Sequence, residues 1–511
     1  MLLRRRRAFA RLWLSGLVSE IGDWLLLIAL PVYVLQLTGS PLVTSTVFLL
    51  ELCAAVLAGP VAGVVADRWN RRRTLIGASL AQAALLLPLL AVDDPGDLWL
   101  VYAVTVVQAV LATVNDPVRQ ALLPSVVDPA ELTAAAGQLG VGANLARLVG
   151  GALGGVLLET SGLAGVVLGD AVTFGVAAAL LVGRTALGAA PAPHPSAPGP
   201  GQRRAAREWL DGLAVIREEP RLRGTLLLTA LMALAQGMFV VLFVVFVLRR
   251  LGGGGTEVGL LRGVQAVGGI AGGLAIGWLA RRVSPRWMVA GGLAAYAIGD
   301  AAIWNGPALT TALPLYLALF VLVGLPIVAT AAGLGTIMLA STPDRFRGRV
   351  ASTHTGAFAA VQAVGMLLVG VLVEPVGLLP LLNAQAGIAA VAAVLAVRVL
   401  RSPLRPAQEP EGATGPGRPV APDDPTEDDA RPVRPAVVGD ERVVALQPPP
   451  VPDAADGPLD DQPVRAGREA ADDHVAGADP AAGADQECIA VTEGRHHRRA
   501  GHEDPLPRPA R

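Results

Sequence analysis

The chain has 511 residues, 53% hydrophobic and only 16% charged, where a soluble domain carries about a quarter charged residues. Its formal net charge of −1 points away from a nucleic-acid partner. The two cysteines, Cys53 and Cys488, fall in an apolar stretch and in a polar tail, which argues against a disulfide framework. There is no lysine: the basic residues apart from histidine are all arginine. Charges cluster in short loops and after residue 401, and the apolar stretches between them run to roughly 20 residues, the length that crosses a bilayer core as a helix.

In chain order, Arg4, Arg5, Arg6, Arg7 and Arg11 precede an apolar stretch at 12–37. That stretch is too long for a signal-peptide core and lacks a small-residue cleavage site, so it reads as the first span. Further spans are predicted at 42–66, 74–92, 98–118, 133–158 and 163–183. A second set follows at 224–248, 257–280, 287–304, 313–340, 350–373 and 378–400. The expected fold is an all-α membrane protein of twelve transmembrane helices in two pseudo-symmetric six-helix bundles. The expected domains are a bundle over 1–186, a cytoplasmic connecting loop over 187–223, a second bundle over 224–402 and a disordered tail over 403–511. Within the connecting loop, Arg203 to Glu219 reads as an amphipathic surface helix. The tail is rich in Pro, Ala, Gly, Asp and Glu and poor in aromatics, too polar to fold. His496, His497 and His502 near its end read as solvated residues rather than as a metal site.

Arginine placement gives an orientation. The N-terminus, the loop after span two (Arg68, Arg71, Arg72, Arg73), the loop before span seven and the loops after spans eight and ten are basic. The alternate loops carry Asp93, Asp94, Asp97, Glu159 and Glu374, with Arg249 and Arg250 as the exception. The positive-inside rule therefore predicts a multi-pass protein of the cytoplasmic membrane with both termini in the cytoplasm. The halves also echo each other: Gly63-Val-Val-Ala-Asp67-Arg68 closes the second span of one, and Gly277-Trp-Leu-Ala-Arg281-Arg282 closes the second span of the other. Two such halves suit a rocking transporter.

Span one carries Ser15, Ser19 and Asp23 four residues apart, hence on one helix face. Asp23 falls about halfway across the membrane, where an ionised carboxylate is costly and intramembrane acids are functional by default. It is a candidate proton carrier or counter-charge for a cationic cargo. Glu20, one residue off that face, and Glu51 in mid span two are further acids of this kind. Arg147 in mid span five, with Asn144 a turn earlier, would neutralise Asp23 or Glu51 or receive an anionic substrate. Asp170 in span six is ambiguous. Asp116 and Arg119 at the end of span four are expected to form a gate network with Asp67 and Arg68.

The strongest motif is Gly63-Val-Val-Ala-Asp67-Arg68-Trp69-Asn70-Arg71-Arg72. Gly63 would permit close helix approach, and Asp67 would pair with arginines or face a neighbouring helix end, locking one conformation. This stretch resembles the loop-two signature of the major facilitator superfamily, Gly-x-x-x-Asp-Arg-x-x-Arg-Arg. Ile21-Gly-Asp23-Trp24, Leu37-Thr-Gly-Ser-Pro41, Pro117-Val-Arg119-Gln-Ala-Leu-Leu-Pro124 and Phe346-Arg347-Gly348-Arg349-Val350 resemble its enterobactin-exporter and macrolide-efflux branch. The resemblance covers residues 9–400. It implies inward/outward rocking, usually proton-driven, and most often export of drugs or siderophore-like compounds. Asn70 departs from the signature's common Gly, although Asn tolerates left-handed turns too. The second-half copy has Arg281 where the first has Asp67, so only the first half is expected to hold a full gate.

Gly150, Gly151, Gly154 and Gly155 in span five make two small-xxx-small pairs that pack closely on a neighbour. They are similar to the superfamily's antiporter signature, with Gly151 in place of its usual proline. Gln108, Gln236, Gln265, Gln362, Asn383 and Gln385 either line a cavity or bond between helices. His354 reads as a structural histidine near the interface. Trp13, Trp24 and Trp99 read as interface or packing residues.

The expected function is a proton-coupled exporter of small amphipathic compounds, working as a monomer with lipid, substrate and protons as partners. An importer of an unknown metabolite and a non-transporting scaffold or sensor are the alternatives. An ATP-driven pump is disfavoured, because a P-loop needs a lysine. No cofactor, enzyme activity or metal site is expected, since no metal-spaced Cys/His cluster occurs.

Overall fold

The computed structural model describes residues 2–182 and 216–400, and every regular element among them is a helix. The helices are α1 (Arg7–Thr38), α2 (Pro41–Arg68), α3 (Arg71–Leu86) and α4 (Leu98–Val126). Leu132–Val182 is one apolar run of 51 residues broken at Gly162 (φ 63°) into α5 (132–161) and α6 (163–182). The second set is α7 (Pro220–Arg249), α8 (Gly255–Leu279), α9 (Pro285–Asn305), α10 (Leu313–Ser341), α11 (Arg347–Val376) and α12 (Leu378–Val399). Eleven apolar helical runs are long enough for a bilayer core, α3 counting with the tighter turn that continues it to Ala91 and Pro129–Val182 counting as one; the break at Gly162 divides that last run into two passes, so the described residues make twelve. The predicted spans match these helices to within a few residues except at α4, which runs on past 118 to Val126 with Pro117 and Pro124 inside it. Neighbouring helices satisfy the carbonyls that proline frees, so a membrane helix tolerates what would end a soluble one.

Turn chemistry marks the passes. Ser40 caps α2 by accepting a bond from the Val43 amide (3.4 Å), with Pro41 at the first helical position. The positive-φ residues are Gly39, Gly162, Gly252 and Gly377. They stand in the α1–α2, α5–α6, α7–α8 and α11–α12 turns, matched positions in the two halves. Gly39 closes α1 with its amide on the Leu35 carbonyl (2.8 Å), a left-handed cap that a side chain would strain.

Odd-numbered helices rise from the face where α1 begins, here called the basic face, and even-numbered ones return to it. Within the first half α1 packs on α5 and α6, α2 on α4, and α3 on α4 and α6; in the second, α7 packs on α11 and α12, and α9 on α10 and α12. The halves meet along α5–α8 and α2–α11. Large apolar side chains such as Leu57, Leu274 and Leu322 are exposed around the outside, where lipid rather than water would cover them. The 203–219 helix lies largely outside the described residues. So do the connecting loop up to 215, the tail from 403, Cys488 and the three tail histidines.

Candidate functional site

Two cavities occupy the middle of the bundle. The larger, about 830 Å³, is lined by Glu20, Asp23 and Trp24 of α1, Glu51 of α2, Gln108, Asn115, Asp116 and Arg119 of α4, and Gly140 of α5. It reaches toward the basic face as far as Leu123 and Ala136. The smaller, about 280 Å³, lies between the halves, with Glu51, Phe48 and Leu27 on one side and Gln236, Phe243, Arg262 and Gln362 on the other. Glu51 borders both.

Asp23, Glu20 and Glu51 therefore share one cavity. The face expected to unite Ser15, Ser19 and Asp23 is split. Ser15 is buried and donates to the Ala177 carbonyl of α6 (2.9 Å), Ser19 is buried too, and Asp23 lines the cavity together with Glu20. Each step of four residues turns about 40° around the helix, and two steps carry Asp23 into the cavity sector that Glu20 occupies. Arg119, buried on α4, bonds Glu20 across the cavity and stands 3.7 Å from Asp116. Gly16 makes room for it: a Cβ there would lie 2.8 Å from the guanidinium carbon.

That pairing corrects the expected gate network. Arg119 points inward to Glu20, not to Asp67 and Arg68, which are exposed at the basic face. Arg71 donates to the Ala121 carbonyl of α4 (3.0 Å). Arg72 donates to the last carbonyls of α6, Leu181 (2.8 Å) and Val182 (2.7 Å), where the helix dipole favours a cation. Arg286 at the start of α9 does the same for α12, donating to Val397 (3.0 Å). Asn70 is not left-handed (φ −68°); its side chain caps α3 by accepting from the Arg73 amide (3.1 Å). Gly63 has nothing within 4 Å of its Cβ position, so close helix approach does not explain it.

The α5 glycines divide between two neighbours. Gly150 and Gly154 admit α1: a Cβ would fall 2.5 Å from the Ile21 carbonyl oxygen and 2.7 Å from that of Leu25. Gly151 and Gly155 admit α8 of the other half, at 3.1 Å from the Gly259 oxygen and 2.0 Å from the Gly255 oxygen. Away from the basic face the halves are also tied by Thr256 of α8, whose amide (3.1 Å) and hydroxyl (2.5 Å) donate to Glu159. Arg249 pairs with Glu374 (2.9 Å) and donates to the Gly39 carbonyl across the halves (2.8 Å).

Arg147 meets neither Asp23 nor Glu51. It bonds Gln265 of α8 and covers the Trp24 ring at 5.3 Å. Gln265 also accepts from Arg262 (2.9 Å). Arg262 and Asp300 are missing from the sequence expectations, although the rule that picks out Asp23, an ionisable residue inside a span, applies to both. Asp300 is fully buried and accepts from Gln385 (2.8 Å), which in turn accepts from Trp304 (2.9 Å). Asp170, also fully buried, lies against Gly22 of α1 and accepts from Thr173 (3.3 Å). His354 is buried beside Thr225 and Thr229. Trp13 packs α1 on α5 by donating to the Gln138 carbonyl (2.8 Å), whereas Trp99 faces outward. Asn383 bonds Asn305 away from the cavities (2.8 Å).

A sequence model of the Major Facilitator Superfamily matches residues 12–249 and again 225–446. The chain is 26% identical over 181 residues to the uncharacterized MFS-type transporter YfiS of Bacillus subtilis (strain 168), covering 35% of this chain and 43% of that one. It is 31% identical over 131 residues to macrolide efflux protein A of Streptococcus pyogenes, covering 25% of this chain and 32% of that one. These matches span less than half of either relative. Among solved structures, a bacterial homologue of the iron transporter ferroportin in an inward-facing state superposes with a TM-score of 0.60 at 18% identity, covering 78% of this chain and 99% of that one. A POT family transporter in complex with a thioalcohol-conjugated peptide does so at 0.60 and 13%, covering 77% and 96%. At such identities the likeness is one of fold. Two matches of the family model, twelve passes and a cavity between paired six-helix sets agree: the chain belongs to the Major Facilitator Superfamily.

Proposed function

We propose that the protein is a proton-coupled exporter of small amphipathic compounds that works by alternating access. The observation that carries this reading is the grouping of Glu20, Asp23 and Glu51 around one cavity that reaches the basic face, while the halves are tied together at the other. Acids within a span are expensive unless they exchange protons or meet a cation. Arg119 engages Glu20, whereas among the described residues no arginine stands within 4.0 Å of Asp23 or Glu51. Asp23 is assigned the proton, with Glu51 as its companion on the substrate side. If arginine-rich loops mark the cytoplasm, the chain sits in the cytoplasmic membrane with both termini inside, and the cavity loads from the cytoplasm. The similarity to macrolide efflux protein A supports the outward direction. A monomer with bundles at 1–186 and 224–402, joined through 187–223, supplies the two rocking bodies.

The test is purified protein in liposomes with an imposed pH gradient, using ethidium and erythromycin as cargo. Gradient-dependent movement is expected from the wild type and its loss from Asp23→Asn. Unchanged coupled transport by Asp23→Asn would remove Asp23 from the mechanism. No gradient-driven movement of either compound by the wild type would overturn the reading.

A further inference from the structure

Arg147 and Arg262 come from opposite halves and share a single neutral acceptor, the side-chain oxygen of Gln265. Among the described residues no carboxylate lies within ion-pair distance of either. The Arg147 Nε is buried with no hydrogen-bond partner. Arg262 borders the 280 Å³ chamber and lies 5.1 Å over the Phe239 ring. A guanidinium has five N–H donors in a planar fork suited to a carboxylate, and two such cations in a low-dielectric region without a counter-charge are costly. The rest of the chamber is apolar, with Phe48, Phe243 and Met366, apart from Glu51, Gln236 and Gln362. Its volume falls just below the roughly 300–1,000 Å³ of a whole-ligand pocket, so it suits one head group rather than an entire large cargo.

We propose that this chamber is an anion subsite, in which Arg262, backed by Gln265 and Arg147, receives the carboxylate head of an amphipathic cargo whose apolar part lies against Phe48, Phe243 and Met366. The inference rests on the transporter reading but not on proton coupling or direction. Because the two arginines belong to different halves, an anion held by Arg262 fills the seam between the bodies that must part. The acid of the same chamber, Glu51, makes no ion pair with Arg262, and a charge on it would repel an incoming carboxylate.

The experiment compares benzoate with its neutral analogue benzamide at constant ionic strength. Binding to detergent-purified full-length protein is read as a saturable rise in thermal unfolding temperature. Wild type is expected to respond to benzoate and not to benzamide, a comparison that needs no variant. Arg262→Gln should weaken benzoate binding by about tenfold to a hundredfold, the span expected for losing charge-assisted hydrogen bonds. Arg262→Lys, which keeps the charge and loses the fork, should fall between. Glu51→Gln should bind benzoate at least as tightly as wild type. Equal responses to benzoate and benzamide, no response to benzoate, or benzoate binding abolished in Glu51→Gln would overturn the subsite. Loss of pH-driven transport with benzoate binding intact would instead fault the proton-coupling reading.

Discussion

Arg119 and Glu20 form the more enclosed of the two ion pairs that line the larger cavity, with side-chain exposures of 9% and 24%. A pair this enclosed is held by geometry, and removing one partner strands the other charge in a medium that cannot solvate it. Arg119→Gln is therefore expected to destabilise the protein by about 3 kcal/mol, with Arg119→Gln/Glu20→Gln recovering much of that loss; thermal unfolding in detergent measures both. A double variant as unstable as the single one would mean that Arg119 matters for packing rather than for charge. At this scale the sequence was only partly legible. Asp23 and Glu51 could be picked out by their depth in a span, since lipid makes any such residue conspicuous. The partner of Arg119 could not, because the choice between Glu20 and Asp67 depends on how far α4 runs past Pro117 and on the space that Gly16 leaves.

The contact between α5 and α8 is built from backbone on backbone. A methyl at position 155 would lie 2.0 Å from the Gly255 oxygen, whereas one at 151 would lie 3.1 Å from the Gly259 oxygen. Gly155→Ala should accordingly force the helices apart at the face opposite the arginines, and Gly151→Ala should do so less. Spin labels at Thr160 and Leu309, in a background with Cys53 and Cys488 changed to serine, should show a population with a longer distance in the first variant and a smaller one in the second. Identical distributions in both would mean that the interface yields elsewhere. The glycine spacing in α5 was plain in the sequence, as were the helix limits, because hydropathy and turn residues are local properties. That two of those glycines face α1 and two face the other half was not, since spacing specifies which residues share a ridge but not what the ridge meets.

For the molecule as a whole, the observed conformation joins the halves at one face and leaves Asp67 exposed at the other. A role for Asp67 then belongs to a different conformation, in which the basic face closes. Asp67→Ala is expected to slow turnover severalfold in liposomes while changing substrate affinity little; equal losses in both would place Asp67 in the substrate site. The superfamily fold itself was readable from the order of spans and the loop-two motif, and the second-half copy does close the second helix of its half as the first does. Arg281 and Arg282 echo the motif in letters, whereas Arg286 repeats the work of Arg72, since each fastens the third helix of its half to the end of the sixth. Arg72 reaches two successive carbonyls at once through Nε and Nη2, which an ammonium on a single stem does less well. Loop cations are commonly regarded as labels that tell a membrane protein which way to insert. In a chain without lysine, the same side chains can also serve as rivets, so that the signal for orientation and the stiffness of each moving half are written in one set of residues.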